Sequence, residues 1–255
     1  MNKISQAFEG KKAFIAFITG GHPDIETTEK LIVAIAQSGI NIIEIGIPFS
    51  DPVAEGAVIQ KASEQALANG CTVDSLFEMV KRVRKQVEIP LLFMSYLNPI
   101  FVYGKERFMQ KCAAYGIDGV IVPDLPFEEK DELADVCAKH GITQISMIAP
   151  TSQERIKSIA KEAEGFLYCV SSLGVTGVRS EIDASIAEMI AQARSVSKIP
   201  CAVGFGISTP QQAQEMAAIS DGVIVGSAIV KLITEHGRNC IEPVIELVES
   251  FSKVL

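Results

Sequence analysis

Three stretches, SGINIIEI (38–45), YGIDGVIV (115–122) and HGITQISM (140–147), repeat one order: the end of a helical pattern, a glycine, then a short apolar run. Glycine reaches the left-handed backbone that ends a helix without a Cβ penalty. The β-branched run that follows reads as a strand. Eight such runs occur at intervals of roughly 20–35 residues: AFIAFIT (13–19), NIIEIGI (41–47), PLLFMSY (90–96), DGVIVP (118–123), QISMIA (144–149), GFLYCV (165–170), PCAVGF (200–205) and DGVIVG (221–226). They are nearly continuous in apolar residues, as parallel strands buried on both faces require. Amphipathic helical patterns separate them, among them 27–39, 73–86, 105–116, 127–141, 152–165 and 209–219.

Eight strands alternating with helices predict one (β/α)8 TIM barrel over residues 1–255. The competing open, doubly wound sheet lacks support, because no Gly-x-Gly-x-x-Gly follows the first strand. Surplus helical matter is expected at 2–8, at 57–68 after strand 2, and at 241–254.

The composition, 48% hydrophobic and 21% charged over 255 residues, suits a large packed core. A net charge of −8 with scattered Lys and Arg argues against nucleic-acid binding. The group KRVRK (81–85) reads as a solvated helix face. No apolar run reaches the roughly 18 residues of a membrane span, and MNKISQAFEGKK has no signal-peptide character. Six dispersed cysteines without a Cys-x-x-Cys pair predict reduced core thiols and a cytoplasmic protein. Three isolated histidines predict no metal site.

Chemistry in such a barrel belongs at the C-terminal ends of the strands, often with a phosphate near strands 7 and 8. VGFGIS (203–208) and VIVGSAIVK (223–231) place Gly204, Gly206 and Gly226 there, with Ser227 opening a helix. Free N–H groups and the helix dipole at that point favour a dianion. The loop SSLGVTGVRS (171–180) is expected to cover the site. Phe17, Tyr96, Tyr168 and Phe205, at or near strand ends, suggest walls for an aromatic substrate. Three carboxylates stand together in EIGIPFSDPVAEG (44–56): Glu44 on the strand, Asp51 and Glu55 beyond it. Ile42, Ile43 and Ile45 surround Glu44, and an apolar setting raises a carboxyl pKa.

GIPFSDP (46–52), NPIF (98–101), GVTG (174–177), GFGIS (204–208) and GSAIVK (226–231) resemble, in order and register, the α subunit of tryptophan synthase. The resemblance runs from about residue 12 to about residue 235, and the family's extra helices agree with the surplus segments. It implies a lyase that splits indole-3-glycerol phosphate into indole and glyceraldehyde 3-phosphate by a retro-aldol reaction. It also implies an αββα complex in which indole passes to a β subunit carrying pyridoxal phosphate, with no cofactor in this chain. Cleavage requires protonating indole C3, accepting the ring N–H and deprotonating the side-chain hydroxyl. Two carboxylates on opposite sides of the ring can do this by acid–base chemistry.

By the resemblance, Glu44 shuttles the proton and Glu55 accepts the ring N–H. Thr176 and Gly177 belong to the covering loop, and Pro48 and Asp51 to a loop that faces the partner. The family pattern at 54–57 is Ala-Asp-Gly-Pro, whereas this chain has Ala54-Glu55-Gly56-Ala57: one methylene more and one proline fewer. Three other readings stay open from sequence: a stand-alone lyase releasing indole, a weakly catalytic activator of the partner, and a sugar-phosphate epimerase.

Overall fold

The computed structural model describes residues 3–150, 152–170, 179–204 and 206–255. Its strands are β1 (Ala13–Thr19), β2 (Ile42–Gly46), β3 (Leu91–Met94), β4 (Gly119–Ile121), β5 (Thr143–Ile148), β6 (Leu167–Val170), β7 (Cys201–Gly204) and β8 (Gly222–Val225). They close in sequence order into a barrel in which every neighbouring pair is parallel, β8 returning to β1. The helices are α1 (Lys3–Gln6), α2 (Ile25–Ala36), α3 (Ala57–Ala68), α4 (Val73–Val83), α5 (Leu97–Tyr103), α6 (Lys105–Tyr115), α7 (Asp131–His140), α8 (Gln153–Glu162), α9 (Arg179–Arg194), α10 (Pro210–Ile219), α11 (Ser227–His236) and α12 (Ile241–Ser252). Glycines end α6 and α7 in the left-handed conformation, Gly116 at φ +84° and Gly141 at φ +68°.

Two apolar layers follow from the two-residue period of the strands. Ile43, Ile45, Leu91, Phe93, Val203 and Val223 face outward against the helices. Ile15, Ile42, Leu92, Ile121, Ile145, Phe166, Ala202 and Ile224 fill the barrel interior. The short α1 acts as a plug at the N-terminal end of the barrel: Ile4 is buried within the interior cluster, and the Phe8 ring lies 5.4 Å from that of Phe166. The interior is therefore closed below, and free space can exist only toward the C-terminal ends of the strands.

At the N-terminal end, three strand pairs share a polar latch. Asn41 N–H donates to the Phe14 carbonyl (2.8 Å), and its Oδ1 accepts from Phe14 N–H (2.9 Å). Asp118 repeats this with Leu91 (2.9 and 3.0 Å), and Asp221 with Cys201 (2.8 and 2.9 Å). Each latch satisfies an N–H in the first two residues of a strand. At Asp118 the guanidinium of Arg84 joins in and also donates to the carbonyls of Gly116, Val87 and Ile89. Arg84, expected on a solvated helix face, is therefore turned into loop carbonyls; Lys81 and Arg82 keep the exposed positions.

One helix was not expected. The α5 segment carries Pro99 in its first turn, where a missing N–H costs nothing, and its first N–H is taken by Asp124 Oδ1 (2.9 Å). The pattern read as a helix over 127–141 is a 3-10 turn, Phe127–Glu129, followed by α7. All six cysteines are free and buried. Among the described residues no helix is long and apolar enough to cross a membrane, and no His, Cys, Asp or Glu cluster could hold a metal ion.

Replacing Asp118 with Ala strands both the Leu91 N–H and a half-buried guanidinium, so we expect a loss of about 2–4 kcal/mol. Asp118→Asn, which keeps the acceptor, should lose less. Urea unfolding midpoints at constant m-value measure both, and equal losses would contradict the latch.

Candidate active site

The packed interior stops at the level of Glu44. Ile42 belongs to the interior cluster, so Glu44, two residues further along β2, points to the same side. Its register neighbours are Phe17 on β1 and Leu92 on β3. The side chain is fully buried, and neither carboxylate oxygen has a hydrogen-bond partner. Burial alone raises its pKa to about 8, so the group is largely a neutral acid at pH 7. Tyr168, on the interior face of β6, lies close enough that the Glu44 charge adds to burial in raising its phenol pKa.

Above this level opens a cavity of about 1100 Å³. Phe17, Met94, Tyr168 and Ile224 form its floor and inner walls, and Glu55 and Asp124 stand on one side. Gly206, Ser208, Gly226 and Ser227 line another part of the wall. A further arm runs beside β5 and reaches residues of α7 and α8, with Gln144 and Ser146 in its wall. The parity of β3 explains Met94, which sequence reasoning passed over: it follows the interior Leu92 by two residues.

Glu55 sits half-buried in the loop between β2 and α3. Burial raises its pKa, and the charge of Asp124 adds to this; hydrogen bonds from the Tyr96 hydroxyl and its own backbone N–H act in the opposite sense. Tyr96 donates to Glu55 Oε2 while its oxygen accepts from the N–H groups of Val53 (3.0 Å) and Ala54 (2.8 Å). Tyr96 was expected as a wall for substrate. It does not line the cavity: only 3% of it is exposed, and the hydroxyl is spent on the Glu55 loop.

The three glycine expectations divide. Gly206, at φ +75° with nothing within 4 Å of a built Cβ, stands open at the cavity wall. Gly226 and Ser227 also line it, and Ser227 starts α11. The first intrahelical bond is Val230 N–H to the Gly226 carbonyl (3.0 Å), which leaves the first-turn N–H groups free for an anion. Gly204 serves otherwise. A Cβ there would lie 2.6–2.8 Å from the Tyr168 ring, so this glycine makes room for an aromatic side chain rather than for phosphate. Gly46, not singled out from sequence, does the same for Phe17 at 2.7 Å.

Pro48 is buried at the turn, whereas Asp51 is exposed and accepts from the neighbouring Ser50 hydroxyl (2.5 Å). Thr176, Gly177 and Phe205 lie outside the described residues.

A family profile described as "Tryptophan synthase alpha chain" matches residues 4–254. A relative of that name from Lacticaseibacillus casei is 47% identical over 236 residues, covering 92% of this chain and 89% of its own. The crystal structure of tryptophan synthase subunit alpha from Legionella pneumophila superposes with a TM-score of 0.91 at 39% identity, covering 100% of this chain and 98% of the other. A chain of Mycobacterium tuberculosis tryptophan synthase superposes at 0.89 with 32% identity, covering 99% and 98%.

Burial of Glu44 has a consequence for stability. Its folded-state pKa of about 8 lies above the ordinary 4.5, so the folded chain holds a proton that the unfolded chain releases. The advantage to the folded chain is complete below about pH 4.5 and is lost as the pH rises to about 8, by roughly 5 kcal/mol at most. Glu44→Gln removes this dependence. We expect its urea midpoint to exceed that of the wild type at pH 8 by more than at pH 5; parallel midpoints at the two pH values would contradict the buried acid.

Proposed function

The chain belongs to the tryptophan synthase alpha chain family, and from that premise we propose that it cleaves indole-3-glycerol phosphate in the mouth of its barrel, with Glu44 and Glu55 as the acid–base pair. The observation that carries this reading is the unpartnered, fully buried carboxyl of Glu44 beneath a cavity walled by Phe17 and Tyr168. A carboxyl that is protonated at neutral pH is what proton donation to the electron-rich C3 of indole requires.

Glu44 gives its proton to indole C3, which makes the ring a cation and its N–H acidic. Glu55 accepts that N–H and so stabilises the cation. Glu44, now a carboxylate, takes the proton of the side-chain hydroxyl as the carbon–carbon bond breaks. The bonding electrons return to the ring, which leaves as indole with its N–H restored, and the hydroxyl carbon leaves as the aldehyde of glyceraldehyde 3-phosphate. One proton leaves Glu44 and one returns, so the enzyme ends as it began. The phosphate is held where Gly206, Gly226 and the start of α11 at Ser227 meet. This fixes the glycerol end and leaves the ring beside the two carboxylates.

The partner in this reading is a β subunit carrying pyridoxal phosphate, assembled as αββα and receiving indole. An apolar patch supports a docking face near the cavity: Val53 is 80% exposed, Phe101 51% and Val102 81%, the last two on α5. Asp51, exposed on the loop on the same side, would face that partner, whereas Pro48 is buried at its turn.

Indole release from indole-3-glycerol phosphate, followed with and without a β subunit, tests the reaction. Activity that rises on adding the partner is expected; full activity alone would favour a stand-alone lyase, and no indole in either case would overturn the reading. Glu44→Gln should lower kcat by at least about 100-fold. The wild-type rate should fall as the pH rises through about 8, because Glu44 then loses the proton it must donate. Ser227→Glu places a carboxylate where the dianion should sit. We expect it to raise KM by at least about 10-fold while kcat changes little.

A further inference from the structure

The loop that carries Glu55 has lost the restraint a proline would give and holds a side chain with one more rotatable bond than aspartate. Something else has to fix that carboxylate. Among the described residues, one group outside Glu55 itself hydrogen-bonds to it: the Tyr96 hydroxyl, which donates to Glu55 Oε2 and accepts from the N–H groups of Val53 (3.0 Å) and Ala54 (2.8 Å). One phenol oxygen thus gathers three groups of one loop.

Tyr96 is itself firmly placed. Its ring packs on that of Phe49 at a centroid distance of 5.3 Å, and its carbonyl accepts from the Ser95 hydroxyl (3.0 Å). Ser95 N–H is bound to the Ile121 carbonyl at the end of β4 (3.0 Å). The next residue, Leu97, starts α5 under the grip of Asp124 Oδ1 (2.9 Å). The phenol therefore stands on the barrel, while Glu55 stands on a loop.

We propose that Tyr96 is a positioning residue for the cleavage reaction, its hydroxyl holding the Glu55 carboxylate at the cavity wall in place of the restraint that the loop sequence no longer supplies. This rests on the reading of Glu55 as the acceptor of the ring N–H. Among the described residues, two charged or titratable side chains act on Glu55: Tyr96, whose hydrogen bond favours the carboxylate, and Asp124 from the β4 end, whose charge opposes it. Removing the hydroxyl leaves burial and Asp124 opposed by the residue's own N–H alone, so Glu55 should hold its proton to a higher pH.

The test is Tyr96→Phe, which deletes one oxygen and keeps the ring on Phe49. With 13C-labelled glutamate, and Glu55→Gln to identify the resonance, the Glu55 carboxyl should titrate at higher pH in Tyr96→Phe than in the wild type. An unchanged titration overturns the proposal, and this readout does not depend on turnover. In the cleavage assay, kcat should fall about 10- to 100-fold with KM within about 3-fold of wild type, and the acid limb of the pH–rate profile should move upward. Should Tyr96→Phe unfold, Tyr96→Leu with a native circular dichroism spectrum takes its place. In the Glu55→Gln background, Tyr96→Phe should cost little more; if it exacts its full factor there, Tyr96 does not act through Glu55. A wild-type chain that forms no indole counts against the reaction itself, whereas a normal rate in Tyr96→Phe counts against this role alone.

Discussion

A carboxyl group with no hydrogen-bond partner cannot stay ionised inside a protein, and much of this barrel is arranged around that constraint. Transfer of an isolated carboxylate from water to an apolar interior costs more than the fold could supply, so the group keeps its proton instead. Glu44 meets the condition because the parallel barrel closes on itself and presents only aliphatic and aromatic neighbours at its level. Had an inward lysine or arginine stood on β1 or β3, the same residue would be a salt-bridged anion, useless as an acid at neutral pH. Closure, the Ile4 and Phe8 plug below, and the polar latches that tie strand starts together all serve to keep water from reaching the carboxyl from below. Under the proposed role of Glu44, function and stability pull in opposite directions, because a protonated glutamate is worse for folding at neutral pH than an apolar side chain would be.

The two carboxylates sit in different electrostatic settings. Glu44 sits on a strand whose backbone is fixed by ladders on both sides, and nothing polar competes for its proton. Glu55 sits on a loop, half-buried, with a phenol, its own N–H and Asp124 acting on it in opposing senses. A rigid, dry acid beside a wetter, adjustable acceptor is the division of labour expected when one group must hold a proton and the other must accept a hydrogen bond from a developing cation. The exposed Val53 lies one residue from Ala54 and two from Glu55, and its N–H is bound by the same phenol. A protein docking on Val53 and on Phe101 and Val102 of α5 would therefore press on both ends of the Tyr96 anchor.

How much of this could be read from sequence follows from the range of the interactions. The strands were legible because each is a local run of apolar residues, and β1 and α3 fall at the expected bounds, Ala13–Thr19 and Ala57–Ala68. Glu44 was legible as an acid because its strand neighbours already reveal its setting. The α5 helix was not, since seven residues with a proline carry too little periodicity to stand out. Nor was the part played by Tyr96. A tyrosine at a strand end suggests a wall, and the hydrogen bond that redirects it spans 41 residues of sequence. Arg84 shows the same limit: its charge places it on a helix surface, and only the fold brings four loop oxygens to meet it.

Glycines at the strand ends show how one residue type can serve two ends that sequence does not separate. A Cβ at Gly46 would meet the Phe17 ring at 2.7 Å, one at Gly226 the same side chain at 3.3 Å, and one at Gly204 the Tyr168 ring at 2.6 Å. Three glycines on three strand ends thus vacate space for two rings, and those rings roof the level at which Glu44 lies. Contacts under 3.0 Å cannot be relieved by small shifts in a closed sheet, since the strand cannot move without breaking ladders on both sides. The aromatic walls could not stand where they do with any larger residue at Gly46 or Gly204. Gly226 is the exception that does both: it clears Phe17 and at the same time opens the free N–H end of α11 to the cavity. The proposed phosphate site and the dry setting of the acid would therefore meet at one residue. In the proposed reaction, a substrate held by its phosphate at α11 would lie against one of the rings that bury Glu44.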